Sequence, residues 1–94
     1  MSNPPKIIDS AIVLEWAWSG EAPFGVILSP NGEVAVEIYG LAICKYQDSK
    51  VIYRFSCNVE WESEQDFDYC SVSDAKENLP EQYKSIEAQW HKYN

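Results

Sequence analysis

Acidic residues occupy every second position in one short segment, which contains Glu60, Glu62, Glu64, Asp66 and Asp68. In a β-strand, alternate side chains share one face and stand about 6.6 to 6.8 Å apart. A calcium ion needs several oxygen atoms within about 2.6 Å, which one straight strand cannot gather. The spacing is also about fourfold too sparse to imitate duplex DNA, with its charge per ~1.7 Å. Two interpretations stay open: a solvated edge strand protected by its charges, or a surface that binds a basic protein partner.

The candidate nucleophiles and bases are three cysteines and one histidine, namely Cys44, Cys57, Cys70 and His91. A structural zinc site requires four clustered ligands, and this spacing does not supply them, so no metal site is predicted. Cys44 and Cys57 share strand faces with apolar residues and are predicted core residues. Cys70 lies where a loop meets a predicted helix, but nearby carboxylates oppose a thiolate there. Since no phosphate-binding loop, nucleophile elbow or H-E-x-x-H motif occurs, we predict a non-enzymatic protein without a cofactor.

Aromatic residues and the only arginine form a second candidate site. Trp16 and Trp18 share one strand parity, and we expect them either to pack in the core or to line a ligand cleft or dimer interface. Arg54 is expected either to pair with a carboxylate or to anchor an anionic ligand. The alternative to a protein-binding surface is therefore a small-molecule pocket between the sheet and the C-terminal element. Its predicted lining is Trp16, Trp18, Tyr53, Arg54 and Trp90.

Fifteen acidic and seven basic residues give the 94-residue chain a net charge of −8. This charge repels phosphate backbones and anionic lipids, so we predict neither nucleic-acid nor membrane binding. No apolar run reaches the ~20 residues of a membrane helix, and the first ten residues lack the pattern of a secretory signal. With no C-x-x-C pair among its cysteines, the chain is predicted to be cytoplasmic with reduced thiols. Its length predicts one domain over residues 1–94.

Alternating apolar residues predict the strands that must position these groups. Residues 29–32, Ser-Pro-Asn-Gly, predict the turn of a hairpin, because proline presets φ and glycine tolerates a positive φ. Further strands are predicted over residues 41–47 and 51–61, and the short connections indicate antiparallel neighbours. In the first strand, one parity contains Ile8, Ile12, Leu14, Trp16 and Trp18.

The last third of the chain changes character. Ser71 or Ser73 is a suitable N-cap for a short helix over residues 72–79, and Pro80 predicts a new element after it. Residues 79–93 have apolar side chains at helical spacing, which favours a helix, while the alternation of Ile86, Ala88 and Trp90 fits a strand. Either choice predicts an α+β domain in which an antiparallel sheet of about five strands, built from hairpins and meanders, packs against a C-terminal helical segment.

One segment of the chain also carries a resemblance. Residues 53–83 include the run Arg54-Phe55-Ser56-Cys57, Trp61 with its neighbouring acids, and Ser73-Asp74-Ala75-Lys76 before Pro80. On these residues the segment resembles small bacterial proteins of uncharacterised role encoded on mobile, integron-type gene cassettes. The resemblance implies a compact cytoplasmic α+β domain that is able to form homo-oligomers such as dimers, and it transfers no catalytic residue.

Charge and size together favour a non-enzymatic acidic interaction protein. The acidic segment, Glu60 to Asp68, would meet a basic protein partner, and opposite fields would speed their association. An immunity-like or antitoxin-like protein that neutralises a cationic toxin is the concrete form of this hypothesis.

Overall fold

Alternating apolar side chains build a curled antiparallel sheet, a half-barrel, in the computed structural model, which describes residues 3–93. The order across this sheet is β1-β2-β5-β6-β7, β8 also pairs with β2, and β3 and β4 form a separate two-stranded sheet. One short helix and one 3-10 turn complete the described chain. The elements are β1 (Ile7–Ile8), β2 (Ala11–Trp18), β3 (Gly25–Leu28), β4 (Val34–Ile38), β5 (Gly40–Lys45), β6 (Ile52–Cys57), β7 (Ser63–Tyr69), α1 (Val72–Glu77), the 3-10 turn (Glu81–Ser85) and β8 (His91–Lys92).

The predicted hairpin is confirmed as β3 and β4. The Gly32 amide donates to the Ser29 carbonyl at 2.9 Å, and Gly32 has a φ of 86°, which a residue with a side chain rarely adopts. The Ser29 amide also donates to the Glu33 carbonyl at 2.8 Å. The turn residues therefore set this hairpin locally, before any packing against the rest of the chain.

A β-bulge changes the side-chain parity of β2. Val13 pairs with Cys44 and Glu15 pairs with Ile43, so Leu14 is an extra residue between two regular pairs. The predicted single parity from Ile8 to Trp18 is therefore wrong, because Leu14 packs on the opposite side of the sheet from Trp16. Trp16 and Trp18 still share a face, as predicted.

Both faces of the large sheet are covered by packed side chains. We call one the tryptophan face, where Trp16, Phe55, Cys57 and Trp61 are buried together. On the other, the helix face, Leu41 and Ile43 of β5 and Ile52 of β6 are buried beneath Ala75 of α1 and Tyr83 of the 3-10 turn. Burial of each large apolar side chain contributes roughly 1.5–3 kcal/mol, so two modest cores stabilise this small chain.

Gly40 lets the ring of Trp61 pack directly against the backbone of β5. A Cβ placed on Gly40 would lie 2.5 Å from Cζ3 of Trp61, nearer than real side-chain atoms approach. Trp61 is 4% exposed and fits against the bare backbone of β5. The glycine is therefore required by the ring that covers it.

The C-terminal third contains less helix than predicted. The short helix is confirmed as α1, where the Ser71 hydroxyl accepts a hydrogen bond from the Asp74 amide at 3.0 Å. The favoured helix over residues 79–93 is wrong beyond the 3-10 turn, because the chain extends after Ser85 and ends in β8. Ile86, Ala88 and Trp90 are half-buried while the residues between them are exposed, which is strand periodicity. No helix among residues 3–93 is long and apolar enough to cross a membrane.

The two edges of the large sheet differ. On the outer side of β2, β1 pairs with Ala11 and Ile12, and β8 pairs with Glu15 and Trp16. At the opposite edge, β7 pairs with β6 alone within the described residues. Among the described residues, β7 is therefore the long edge strand of this sheet, whereas the opposite edge is formed by the two-residue strands β1 and β8.

Candidate functional sites: an acidic edge strand, an aromatic cleft and a buried arginine

The predicted acidic segment divides between a turn and an edge strand. β7 begins at Ser63, so Glu60 and Glu62 precede it, whereas Glu64, Asp66 and Asp68 lie on it and are exposed. The five carboxylates therefore do not form one row along a single strand face. They are divided because a turn over residues 58–62 lies between β6 and β7 and reverses the direction of the chain.

Asn58 organises this acidic turn. Its side-chain oxygen accepts hydrogen bonds from the backbone amides of Glu60 at 2.9 Å and Glu62 at 3.1 Å. Its side-chain nitrogen donates to the carboxylates of Glu62 and Glu64, each at 2.8 Å. One neutral amide thus holds two carboxylates close together at the start of β7, a grouping that alternation alone did not predict.

The carboxylates of the acidic segment are not neutralised by ion pairs among the described residues. Two ion pairs join charged side chains elsewhere, Lys76 with Glu15 at 2.6 Å and Lys84 with Glu81 at 3.1 Å. Within residues 3–93, none of the five carboxylates between positions 60 and 68 forms an ion pair. A cation brought by another molecule would therefore not have to displace a lysine of this chain.

The opposite face of β7 carries an exposed aromatic ring. Phe67 is 54% exposed and pairs with Arg54 across the β6–β7 ladder. The Arg54 guanidinium carbon lies 5.5 Å from the centre of the Phe67 ring, within the range of a cation–π contact. The edge strand thus presents acids on one side and a large apolar group on the other.

The predicted single aromatic pocket is not formed. Trp16, Trp18 and Tyr53 belong to the cluster on the tryptophan face, while Arg54 and Trp90 lie on the helix face. Tyr53 and Arg54 are consecutive in β6, and consecutive residues of a strand point to opposite faces. The five predicted lining residues therefore divide between two sides of the sheet.

An aromatic cleft nevertheless exists at the end of the tryptophan face. Trp18 and Trp61 have ring centres 5.5 Å apart, and the imidazole of His91 stacks on Trp16 with centres 4.5 Å apart. The cleft has a volume of about 540 Å³, and its lining comprises Trp18, Gly20, Glu21, Gln89 and His91. His91 was missed as a lining residue, although the alternation of residues 86–91 places it on the exposed side of a strand.

Arg54 is the least expected group in the structure. It is 0% exposed, and its Nη1 donates to the Tyr69 hydroxyl at 2.9 Å. Its Nε and Nη2 are buried and have no hydrogen-bond partner among residues 3–93. The expected pairing with a carboxylate is wrong within residues 3–93, because Asp66 and Asp68 point to the other face of β7.

Three aromatic rings surround this guanidinium. Its central carbon lies 5.5 Å from the ring centre of Phe67, 6.0 Å from that of Tyr69 and 5.6 Å from that of Tyr83. A desolvated cation–π contact contributes about 2 kcal/mol, whereas removing a charge from water costs several kcal/mol. The rings therefore offset part of the free-energy cost of burying this charge. A bound anion would offset the remaining part of that cost.

The three thiols are in different environments. Cys44 and Cys57 are buried, as predicted, and Cys70 is exposed. Burial raises the pKa of the Cys44 thiol from 9.0 to about 12. Burial also raises the pKa of Cys57, with smaller contributions from Cys44, Asp9 and Glu64. The two buried thiols are therefore neutral packing groups at physiological pH.

Among the described residues, no group of three or more histidine, cysteine, aspartate or glutamate side chains is arranged to hold a metal ion. The chemistry that these sites support is recognition: charge and backbone pairing at β7, ring stacking in the cleft, and bidentate hydrogen bonding at Arg54. Comparison with protein-family models, with curated proteins and with solved structures finds no match for this chain.

Proposed function

We propose that this protein is a non-enzymatic acidic interaction protein that engages a basic protein partner through β7, in the manner of an immunity-like or antitoxin-like protein. The observation that carries the proposal is the coincidence of three properties in one strand. β7 is a long edge strand of the large sheet, its carboxylates lack ion-pair partners within residues 3–93, and Phe67 stands exposed on the face opposite to those acids. This combination supports a binding role for the acids beyond the protection of an edge strand.

Each property contributes a different part of recognition. A net charge of −8 attracts a basic partner from a distance and raises the association rate. The free backbone groups of an edge strand pair with an extended segment of the partner. Exposed aromatic rings such as that of Phe67 are enriched in protein–protein interfaces. A cytoplasmic location is proposed with this function, since the three free thiols fit a reducing compartment.

A binding role also fits the surroundings of the candidate nucleophiles. His91 stacks on Trp16, and no hydrogen bond within the described residues joins its imidazole to a cysteine. Cys44 and Cys57 are enclosed by apolar side chains of the tryptophan face. A nucleophilic thiol needs a nearby base, and these positions do not provide that pairing.

Partner binding is predicted to depend on four carboxylates, three on β7 and one directly before it. A variant with Glu62→Gln, Glu64→Gln, Asp66→Asn and Asp68→Asn is expected to lose capture of a basic partner from host lysate, because the local field is removed while side-chain size is kept. The captured protein is identified by mass spectrometry, and capture by the intact chain is expected to weaken as salt rises.

A matched control separates the site from the total charge. The exposed carboxylates of Glu21, Glu33, Glu37 and Glu87 lie outside β7, and their replacement by glutamine removes the same four charges. Retained capture by this control, together with loss in the β7 variant, supports β7 as the binding surface. Equal behaviour of the two variants would contradict it.

A second candidate function is supported by the aromatic cleft. We propose as an alternative that the cleft beside Trp18 and His91 binds a small molecule with a flat apolar face, which would stack on the exposed part of the indole. A ligand of this kind is expected to quench tryptophan fluorescence and raise the thermal midpoint of the intact chain. Trp18→Leu should remove both responses, and a broad metabolite screen in which neither signal changes would contradict this alternative.

A further inference from the structure

The unpaired part of the Arg54 guanidinium has a specific geometry. The Nε–H and one Nη2–H of a guanidinium lie parallel along one edge and match the two oxygens of a carboxylate or phosphate. In Arg54 these are the two buried nitrogens without a hydrogen-bond partner. The third nitrogen, Nη1, is already engaged by Tyr69. The chain thus leaves open the edge that recognises oxyanions by two hydrogen bonds.

Neighbouring groups hold this edge in a fixed orientation. The Tyr69 hydroxyl accepts from Nη1 at 2.9 Å and donates to the Asn78 carbonyl at 3.3 Å. The Tyr83 ring lies 5.6 Å from the guanidinium carbon, and its hydroxyl donates to the Ser56 hydroxyl at 2.9 Å. Because side chains from β7 and from the 3-10 turn hold the guanidinium, its orientation is established before an anion arrives.

The part of the chain that the structure describes pairs no carboxylate with the Arg54 guanidinium. Arg54 takes part in no ion pair within residues 3–93, and the acids nearest to it in β7 alternate onto the tryptophan face. A guanidinium has five N–H donors and no acceptor, so a buried guanidinium needs acceptors from its surroundings. An isolated positive charge therefore lies inside a protein whose surface is acidic.

Phe67 is the most exposed of the three rings around this charge. It is the cross-strand neighbour of Arg54, it lies on the free edge strand, and more than half of its side chain is exposed. Rotation of an exposed side chain takes place in nanoseconds or less and breaks no backbone hydrogen bond. The Phe67 ring can therefore uncover the guanidinium without unfolding the edge of the sheet.

We infer that Arg54 anchors an oxyanion site that takes a carboxylate or phosphate group through Nε and Nη2, with Phe67 as its cover. The inference does not require the basic partner proposed for β7, because it concerns the opposite charge and the Arg54 side of that strand; Phe67 is the residue that both proposals use. Ligands of two sources share this chemistry, metabolites with a carboxylate and metabolites with a phosphate.

Arg54 is the only arginine, so its Nε–H gives a single assignable signal in a ¹H–¹⁵N spectrum. We expect this signal to shift saturably when inorganic phosphate or acetate is added to the intact protein, with chloride at the same ionic strength as the control. A larger response to phosphate identifies phosphorylated ligands, and a larger response to acetate identifies carboxylates. A signal that moves with neither anion, or equally with chloride, would overturn the inference.

Two variants test the roles of the anchor and the cover. Arg54→Met keeps the length of the side chain and is expected to abolish the anion-dependent rise in thermal midpoint. Phe67→Ala should bind the preferred anion severalfold more tightly. In the intact chain the Phe67 ring covers Arg54 in most molecules, which lowers the apparent affinity, and the variant has no such ring. Leu28→Ala removes an equally exposed apolar group from β3 and should leave binding unchanged. Unaltered anion binding in Phe67→Ala would contradict the role of Phe67, and a retained response in Arg54→Met would contradict the site.

Discussion

Replacement of Trp61 by alanine is expected to lower the free energy of unfolding by about 3 to 5 kcal/mol. The ring is 4% exposed, meets Trp16 edge-on with centres 6.0 Å apart, and covers the bare backbone of Gly40. An alanine at this position keeps the left-handed φ of 63°, so relief of backbone strain does not offset the lost packing. For a chain of this length, with a total stability of about 5 to 14 kcal/mol, the loss is a large fraction.

Chemical denaturation of the intact chain and the variant measures this difference. Val59→Ala is the matched control, since Val59 lies in the same turn and is 57% exposed. Exposed positions of this kind usually change stability by less than about 0.5 kcal/mol. If Trp61→Ala is no less stable than Val59→Ala, the tryptophan face does not depend on Trp61.

Alkaline pH is expected to destabilise the fold through its buried thiols. A group whose pKa is raised in the folded state keeps its full contribution below its unfolded pKa and loses it as pH rises toward the folded value. For Cys44 this window runs from 9.0 to about 12. At about pH 10.5 the unfolded chain gains about 2 kcal/mol from ionising this thiol, at roughly 1.4 kcal/mol for each pKa unit. Cys57 adds a loss of the same sign.

Denaturation at neutral pH and at about pH 10.5 isolates this contribution. In Cys44→Ala the drop in stability between the two pH values should shrink by about 2 kcal/mol, even though the variant starts from a lower absolute stability. Val13→Ala is the control, because Val13 is buried in the same cluster and carries no titratable group, so its removal should leave the drop unchanged. An identical drop in the intact chain and in Cys44→Ala would refute the assignment.

Elements with strong local signals could be predicted from the sequence. Residues 29–32 combine proline, asparagine and glycine in the order that a hairpin turn requires, and β3 and β4 follow from it. Ser71 caps α1 with its own hydroxyl. In both cases the interactions that define the element lie within a few residues, so the distant parts of the fold do not change the outcome.

Elements that depend on distant packing could not be predicted in this way. The bulge at Leu14 places Ala11 and Val13, together with Trp16, on the tryptophan face, and alternation alone cannot reveal where an extra residue enters a strand. The segment after Ser85 contains good helix formers, yet it extends because β8 pairs with β2. A partner from the beginning of the chain overrides the local preference.

The candidate sites show the same limit. The exposed acids of β7 are visible in the sequence, but the turn at Asn58 that separates Glu60 and Glu62 from the strand depends on side-chain hydrogen bonds. A lone arginine usually pairs with one of many acids, and here the acids of β7 point away from it. Strand alternation does contain the signal that Tyr53 and Arg54 cannot line one pocket.

The pairing of β8 with β2 has a consequence for synthesis of the protein. β2 leaves the ribosome well before its partners at positions 91 and 92 are added. At roughly 5–20 residues per second, the edge of β2 beside Trp16 stays open for several seconds, and a nascent sheet therefore exposes this part of β2 in addition to β7. A message cut short before codon 91 would make this state permanent and produce a chain prone to edge-to-edge aggregation.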